Sequence, residues 1–295
     1  MIPTFGHPEV FMIKKITSVL AFSVLLTPGT LLAAGPARAH RLTAAPRALP
    51  TVLAALGDSI SAGFNACGWY VSCTSRSWSA GDNPEVSSHY LRLLALAPAL
   101  KGHNLNFAVP GATSADLAAQ ARQAVEGGAD YVTILVGAQD ACTRSPKLMT
   151  PVVTYRRRIE AALDVLRPTG ARVFVASIPD LKRLWRIGKD NRWARAFWTI
   201  GRTCQSMLAN PGSTAKADET RRVEVRERVM DYNEQLRTAC LRYGPACRYD
   251  GGAVFGYPFS LKMVSPWDFF HPNEAGQRAL AQVTFAAGFF AETQP

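Results

Sequence analysis

The triplet Gly57-Asp58-Ser59 follows directly on the apolar residues 51–56. A serine on the turn that leaves a buried strand presents its hydroxyl outside the carboxyl end of the sheet, where ligands bind in open α/β folds. Such a hydroxyl becomes a useful nucleophile only when a neighbouring base takes its proton. Five histidines are present: His7, His40, His89, His103 and His271. His7 and His40 lie near the N-terminus; His89 sits at helical spacing and His103 just before an apolar segment, where surface or core roles are ordinary. His271 is different. It lies in Ser265-Pro266-Trp267-Asp268-Phe269-Phe270-His271-Pro272, so one rigid, aromatic-rich loop carries a carboxylate three residues before an imidazole. A carboxylate that orients an imidazole, which in turn deprotonates a serine, is the logic of a serine triad. Ser59, His271 and Asp268 are the candidate nucleophile, base and orienting acid.

Acyl transfer also needs donors aimed at the developing oxyanion, often the largest single electrostatic contribution. Two further segments offer them. Gly111, in Asn106-Phe107-Ala108-Val109-Pro110-Gly111-Ala112, carries a backbone N–H, and Gln139, in Val136-Gly137-Ala138-Gln139-Asp140, carries a side-chain amide.

These groups need strand ends to hold them. Residues 51–56, 104–109, 131–136 and 172–177 are short apolar runs bounded by glycine or proline, as buried strands are. Between them, residues 86–100 have helical spacing, residues 115–125 read as a helix with Ser114 as its N-cap, and residues 152–166 form an amphipathic helix stopped by Pro168. Strands alternating with helices imply a parallel sheet covered on both faces. Residues 181–211 break that rhythm, with Trp185, Trp193, Phe197 and Trp198 set among basic residues, and read as an insertion or lid-like segment. Residues 217–243 predict a long helix whose inward face is Val223, Val225, Val229, Tyr232, Leu236 and Cys240. Val254-Phe255 is expected to close the sheet, and residues 273–290 to form the last helix. No linker divides residues 40–295, so one domain is expected.

Gly57-Asp58-Ser59, the Asn106…Gly111 block, Gly137-Ala138-Gln139-Asp140 and Asp268-x-x-His271-Pro272 occur in the order, and at the strand ends, of the four sequence blocks of the SGNH/GDSL hydrolases. Across roughly residues 53–290 the chain resembles that family. Within it, Ser75-Arg76-Ser77-Trp78-Ser79-x-Gly81-Asp82 and the stretch from Asn106 to Ala112 resemble phospholipase B-like members. Three expected disulfides are similar to those of secreted actinobacterial lipases and esterases. The resemblance implies a three-layer α/β/α sandwich with a parallel, flavodoxin-like central sheet, and no metal or organic cofactor. It implies Ser59 as nucleophile with its own N–H as one oxyanion donor, the Gly111 N–H as a second, and His271 as a base oriented by Asp268. The third block usually supplies an asparagine amide, where this chain has Gln139. Glutamine keeps the amide and adds a methylene, so the donor can still reach but its position must shift or its rotamer change, and one misplaced donor can cost about 10²–10³ in rate.

The chain has 295 residues, of which 48% are hydrophobic and 19% charged, a globular rather than a disordered composition. It shows no collagen period, sustained heptads, repeats or multiple long apolar runs, which excludes coiled coils, solenoids and polytopic membrane proteins. Lys14-Lys15, the uncharged residues 16–27, Pro28-Gly29 and Ala37-Arg38-Ala39 predict a signal peptide over residues 1–39, cleaved near Ala39, and hence export. Cys67, Cys73, Cys142, Cys204, Cys240 and Cys247 fit disulfides in that compartment. Proximity favours Cys67–Cys73 and Cys240–Cys247, which leaves Cys142–Cys204. There is no C-x-x-C and no Cys/His pair at finger spacing, so no metal site is expected.

Thirty-three Lys+Arg against 22 Asp+Glu give a net charge of +11, and removal of residues 1–39, with Glu9, Lys14, Lys15 and Arg38, lowers it to +9. That charge favours anionic partners such as phospholipid head groups or acidic cell-wall polymers. The basic runs at Arg156-Arg157-Arg158, Lys182-Arg183 and Arg221-Arg222 are dispersed, and nucleic acid is not an expected partner. The expectation is a monomeric, secreted serine esterase or lipase that acts on small-molecule or lipid acyl esters, phospholipids included, through an acyl-enzyme on Ser59. The alternatives are a carbohydrate esterase that removes acetyl groups, and a catalytically impaired member that binds an acyl or glycan ligand.

Overall fold

A computed structural model describes residues 48–293. Five strands form one sheet: β1 (Leu53–Gly57), β2 (Asn104–Asn106), β3 (Tyr131–Leu135), β4 (Arg172–Val175) and β5 (Cys247–Tyr249). Their order is β2-β1-β3-β4-β5 and every neighbouring pair is parallel, the flavodoxin-like arrangement. Side chains alternate across the pleat. Ala54, Leu56, Val132, Ile134, Val173 and Val175 enter one core, while Leu53, Ala55, Tyr131, Leu135 and Phe174 enter the other. Both faces are therefore covered, which is why the strands read as unbroken apolar runs.

The first half of the chain carries the helices α1 (His89–Leu94), α2 (Leu117–Glu126), α3 (Ala138–Ala141) and α4 (Val152–Leu166). Next come α5 (Leu181–Gly188), α6 (Arg192–Ile200), α7 (Gln205–Leu208), α8 (Lys216–Tyr243), α9 (Ala253–Gly256) and α10 (Glu274–Ala287). Helices α2, α4 and α8 pack on the first face through Leu117, Ala121, Tyr155, Ile159, Val225 and Val229. Helices α1 and α10 pack on the second through Tyr90, Leu93, Leu280 and Phe285.

Several sequence expectations need correction. Val254-Phe255 does not close the sheet; it lies in α9, and the edge strand is β5, whose Cys-Arg-Tyr carries no apolar run to announce it. Ser114 does not cap α2, which begins at Leu117 after Asp116; its hydroxyl and N–H instead serve Asp140. The strand expected over residues 104–109 is only three residues long, and the helix expected over residues 86–100 is α1 followed by a separate turn at Pro98–Leu100. Val223 is exposed rather than inward, while Val225, Val229, Tyr232, Leu236 and Cys240 are buried as expected.

Residues 181–211 are regular helix for most of their length. Trp185 and Trp198 are buried, with Trp185 Nε1 donating to Pro211 O at 2.8 Å and the Arg222 guanidinium 4.1 Å from the Trp185 ring. Trp193 and Phe197 remain exposed. Disulfides join Cys67 to Cys73, Cys142 to Cys204 and Cys240 to Cys247. His89 is a satisfied core histidine, between the Tyr131 and Thr284 hydroxyls at 3.0 and 2.8 Å, and burial drives its pKa down to about 3. The expected signal peptide lies outside the described residues. Among these, no helix is long and apolar enough to cross a membrane.

Candidate active site

β1 ends at Gly57 with φ +131°, where a Cβ would come within 1.9 Å of the Leu135 carbonyl oxygen. Only glycine lets the chain leave β1 this close to β3. Gln120 of α2 braces the turn: Gly57 N–H donates to its Oε1 at 2.7 Å, and its Nε2 donates to Gly57 O at 2.9 Å. Asp58 follows, fully buried, with Oδ1 accepting the Ile60 N–H at 2.9 Å and Oδ2 without a hydrogen-bond partner. Burial pushes its carboxyl up from 3.8 to about 7, although the Ile60 N–H and the nearby His271 pull the other way. Ser59 comes next and is nearly buried itself.

The second contribution comes from the loop before α10. Ser265 N–H donates to His271 O at 2.8 Å and Phe269 N–H to Ser265 O at 2.9 Å, which closes the loop on itself. Phe269 takes φ +54°, an uncommon conformation for an aromatic residue, and Trp198 Nε1 of α6 donates to its carbonyl at 3.0 Å. The loop thus delivers His271 beside Ser59. His271 Nε2 lies 2.8 Å from Ser59 Oγ, and Nδ1 lies 2.5 Å from Asp268 Oδ2. With Nδ1 protonated toward the carboxylate, Nε2 is left to accept the serine proton.

Asp268 is tightly held. Its Oδ1 accepts the N–H groups of Phe270 and His271 at 2.8 and 3.1 Å, and its Oδ2 also accepts Asn65 Nδ2 at 2.6 Å. Burial alone would raise its pKa, but the hydrogen bonds and charge of His271, with these backbone donors, hold it below the ordinary carboxylate value. Asn65 was not anticipated from the sequence. It lies 203 residues from Asp268 along the chain. No local sequence signal marks it; in the structure it takes a left-handed φ of +58°, a conformation asparagine tolerates.

The other two sequence candidates lie beyond the ends of β2 and β3, Gly111 in the loop after β2 and Gln139 in α3. Gly111 has φ +86° with open space where a Cβ would go, so its backbone conformation rather than crowding calls for glycine. Asn106 binds this loop to the nucleophile turn, Nδ2 donating to Ser61 O at 2.9 Å. Gln139 is half-buried at the start of α3, after Gly137 at φ +126°. Among the described residues, the N–H groups of Ser59 and Gly111 and the Gln139 side-chain amide donate to no protein acceptor. Three donors are thus left for something other than the protein. Asp140, next to Gln139, fixes the two loops together through the N–H and hydroxyl of Ser114.

An apolar groove is lined by Ser59 and His271 together with Ile60, Leu181, Leu184, Ile187, Phe259 and Met263. Among the described residues, no group of three or more His, Cys, Asp or Glu is placed to hold a metal ion.

Comparison with solved structures finds the same fold in an acetylxylan esterase from Geobacillus stearothermophilus, with a TM-score of 0.50 at 15% identity, covering 80% of this chain and 92% of that one. An extracellular lipase from Streptomyces rimosus aligns with a TM-score of 0.44 at 20% identity, over 80% of this chain and 99% of that one. No curated protein sequence matches. The profile of the GDSL-like lipase/acylhydrolase family matches residues 55–279, well over half of the sequence, and the chain belongs to that family.

Proposed function

We propose that this protein is a secreted serine ester hydrolase that cleaves lipid acyl esters through an acyl-enzyme on Ser59. The observation that carries the reading is the unbroken hydrogen-bond chain from Asp268 through His271 to Ser59. In the proposed reaction, Ser59 Oγ attacks the ester carbonyl while His271 Nε2 takes its proton. Asp268, held ionised by its donors, keeps the imidazole in the needed tautomer and stabilises the imidazolium. The unpartnered N–H groups of Ser59 and Gly111 and the Gln139 amide bind the oxyanion, where preorganised donors act most strongly. His271 then returns the proton to the departing alcohol, and a water activated by the same imidazole releases the acid.

The apolar groove beside Ser59 supports an acyl chain as the bound group, since alkyl carbons gain from leaving water and offer nothing to hydrogen-bond. The disulfides and the signal-peptide pattern support export. The test is hydrolysis of p-nitrophenyl esters from acetate to palmitate by the oxidised protein, beside Ser59→Ala. Turnover that rises with chain length and disappears in Ser59→Ala is the expected result. A maximum at acetate would favour a carbohydrate esterase. Absence of turnover at every length would favour a ligand-binding role, and turnover surviving in Ser59→Ala would remove the proposed site.

A further inference from the structure

Two exposed apolar elements flank the His271 loop, and the reaction uses neither. The first is a hairpin-like loop after Ser59. Phe64 and Ser72 pair antiparallel at its base, Asn65 N–H donates to Val71 O at 2.8 Å, and Cys67–Cys73 staples it. Its tip is Trp69-Tyr70-Val71, with Tyr70 73% and Trp69 59% exposed. The Tyr70 ring packs edge-on against Phe64, which packs against His271 at 5.0 Å. The tip therefore stands one ring away from the base.

The second element is α6. Ala194 and Trp198 face inward and are fully buried. Trp193, Phe197 and Ile200, at spacings of four and three, form a stripe on a different, exposed face, with Ile200 83% exposed. Phe197 touches Phe269, two residues before His271, at 5.6 Å between ring centroids. This stripe too borders the catalytic loop. Residues 181–202 carry seven basic side chains and one acidic, Asp190. Among the described residues, the exposed Arg192, Arg195 and Arg202 have no acidic partner.

Large apolar side chains clustered in solvent mark an interaction surface, and a helix with an apolar stripe edged by arginine is suited to a lipid–water boundary. The flat faces of Trp69, Tyr70 and Trp193 suit a sugar ring as well as a lipid, but the exposed aliphatic Val71 and Ile200 offer a polysaccharide neither a flat face nor a hydrogen bond, and the unpaired arginines match an anionic head group. We propose that the Trp69-Tyr70-Val71 tip and the outer face of α6 dock this protein on an anionic phospholipid bilayer, which places the Ser59 groove at the membrane surface. This deepens the lipid-ester reading and rests on it.

The test is co-sedimentation of the oxidised Ser59→Ala chain, which leaves lipid intact, with vesicles of phosphatidylcholine alone or mixed with phosphatidylglycerol. Binding is expected to the mixed vesicles and to weaken with salt. The Trp193→Ser/Ile200→Ser pair and the Trp69→Ser/Val71→Ser pair should each lower apparent affinity by roughly tenfold or more, since bound apolar area sets the strength. Arg192→Gln/Arg195→Gln should reduce the preference for mixed over neutral vesicles. Melting temperatures check that the variants fold, and exposed positions make that the expected result. No sedimentation with either vesicle, binding unchanged in both apolar pairs, or binding to insoluble polysaccharide instead of vesicles would overturn the proposal. Turnover of soluble esters is read separately. Vesicle binding without turnover leaves the surface standing and the esterase reading refuted, and turnover without vesicle binding does the reverse.

Discussion

Asn65 donates its side-chain amide to Asp268 Oδ2 at 2.6 Å, the same oxygen that faces His271 Nδ1. A second donor on that oxygen keeps the carboxylate both ionised and aimed, because hydrogen bonds to the charged form favour it. The asparagine arrives from the nucleophile loop, so one side chain ties the two halves of the site together.

Removing that donor without straining the backbone requires Asn65→Gly, since alanine would be held at φ +58°. A hydrogen bond to a charged group is worth about 1.5–3 kcal/mol, so kcat/KM for a soluble ester is expected to fall roughly ten- to hundredfold. An activity unchanged from wild type would reduce Asn65 to a purely structural residue.

How much of this was legible in the sequence follows from range. The strand ends that carry Ser59, Gly111 and Gln139 stood out because each terminates an apolar run at a glycine or proline turn, and both signals are local. His271 and Asp268 share one loop and could be read together. Asn65 could not, because its partner lies at the other end of the chain. Ser114 sat where an N-cap would sit, and only the fold reveals that buried Asp140 competes for it. β5 was hidden by its position, because a three-residue edge strand of half-exposed side chains has no period to read.

Gln139 is the point where this chain departs from its family's usual third block. Gln139→Ala removes the amide and should lower ester hydrolysis by about 10²–10³ if the donor reaches the oxyanion. Gln139→Asn restores the shorter side chain and should equal or exceed the wild type. Steady-state kinetics on one p-nitrophenyl ester separate these outcomes, and equal rates in all three forms would take Gln139 out of the oxyanion hole.

Asp58 makes stability depend on pH in a direction opposite to that of a salt-bridged carboxylate. Its pKa is raised from 3.8 to about 7 by burial, so the folded state binds the proton more tightly than the unfolded chain does. Stability from this group is complete below the lower value and is lost as pH climbs through the higher one. Asp58→Asn keeps an acceptor for the Ile60 N–H and cannot ionise. Denaturant melts from about pH 5 to about pH 8 should therefore fall more steeply for the wild type than for Asp58→Asn. Parallel curves would mean that Asp58 does not titrate in this range.

The three disulfides should not contribute equally. Cys67–Cys73 and Cys240–Cys247 close loops of 6 and 7 residues, whereas Cys142–Cys204 spans 62. In the chain-entropy account the cost imposed on the unfolded state grows with loop length, to about 4 kcal/mol for the longest against about 2 for the short ones. Cys142→Ser/Cys204→Ser should therefore lower Tm by roughly 10 °C, about twice the effect of removing either short bridge. It should also touch activity, because Cys142 directly follows α3, the helix that carries Gln139. Fluorescence melts of the three double variants, with ester turnover below each transition, check both effects. A Cys142/Cys204 variant as stable as the other two would overturn the loop-length account for this bridge.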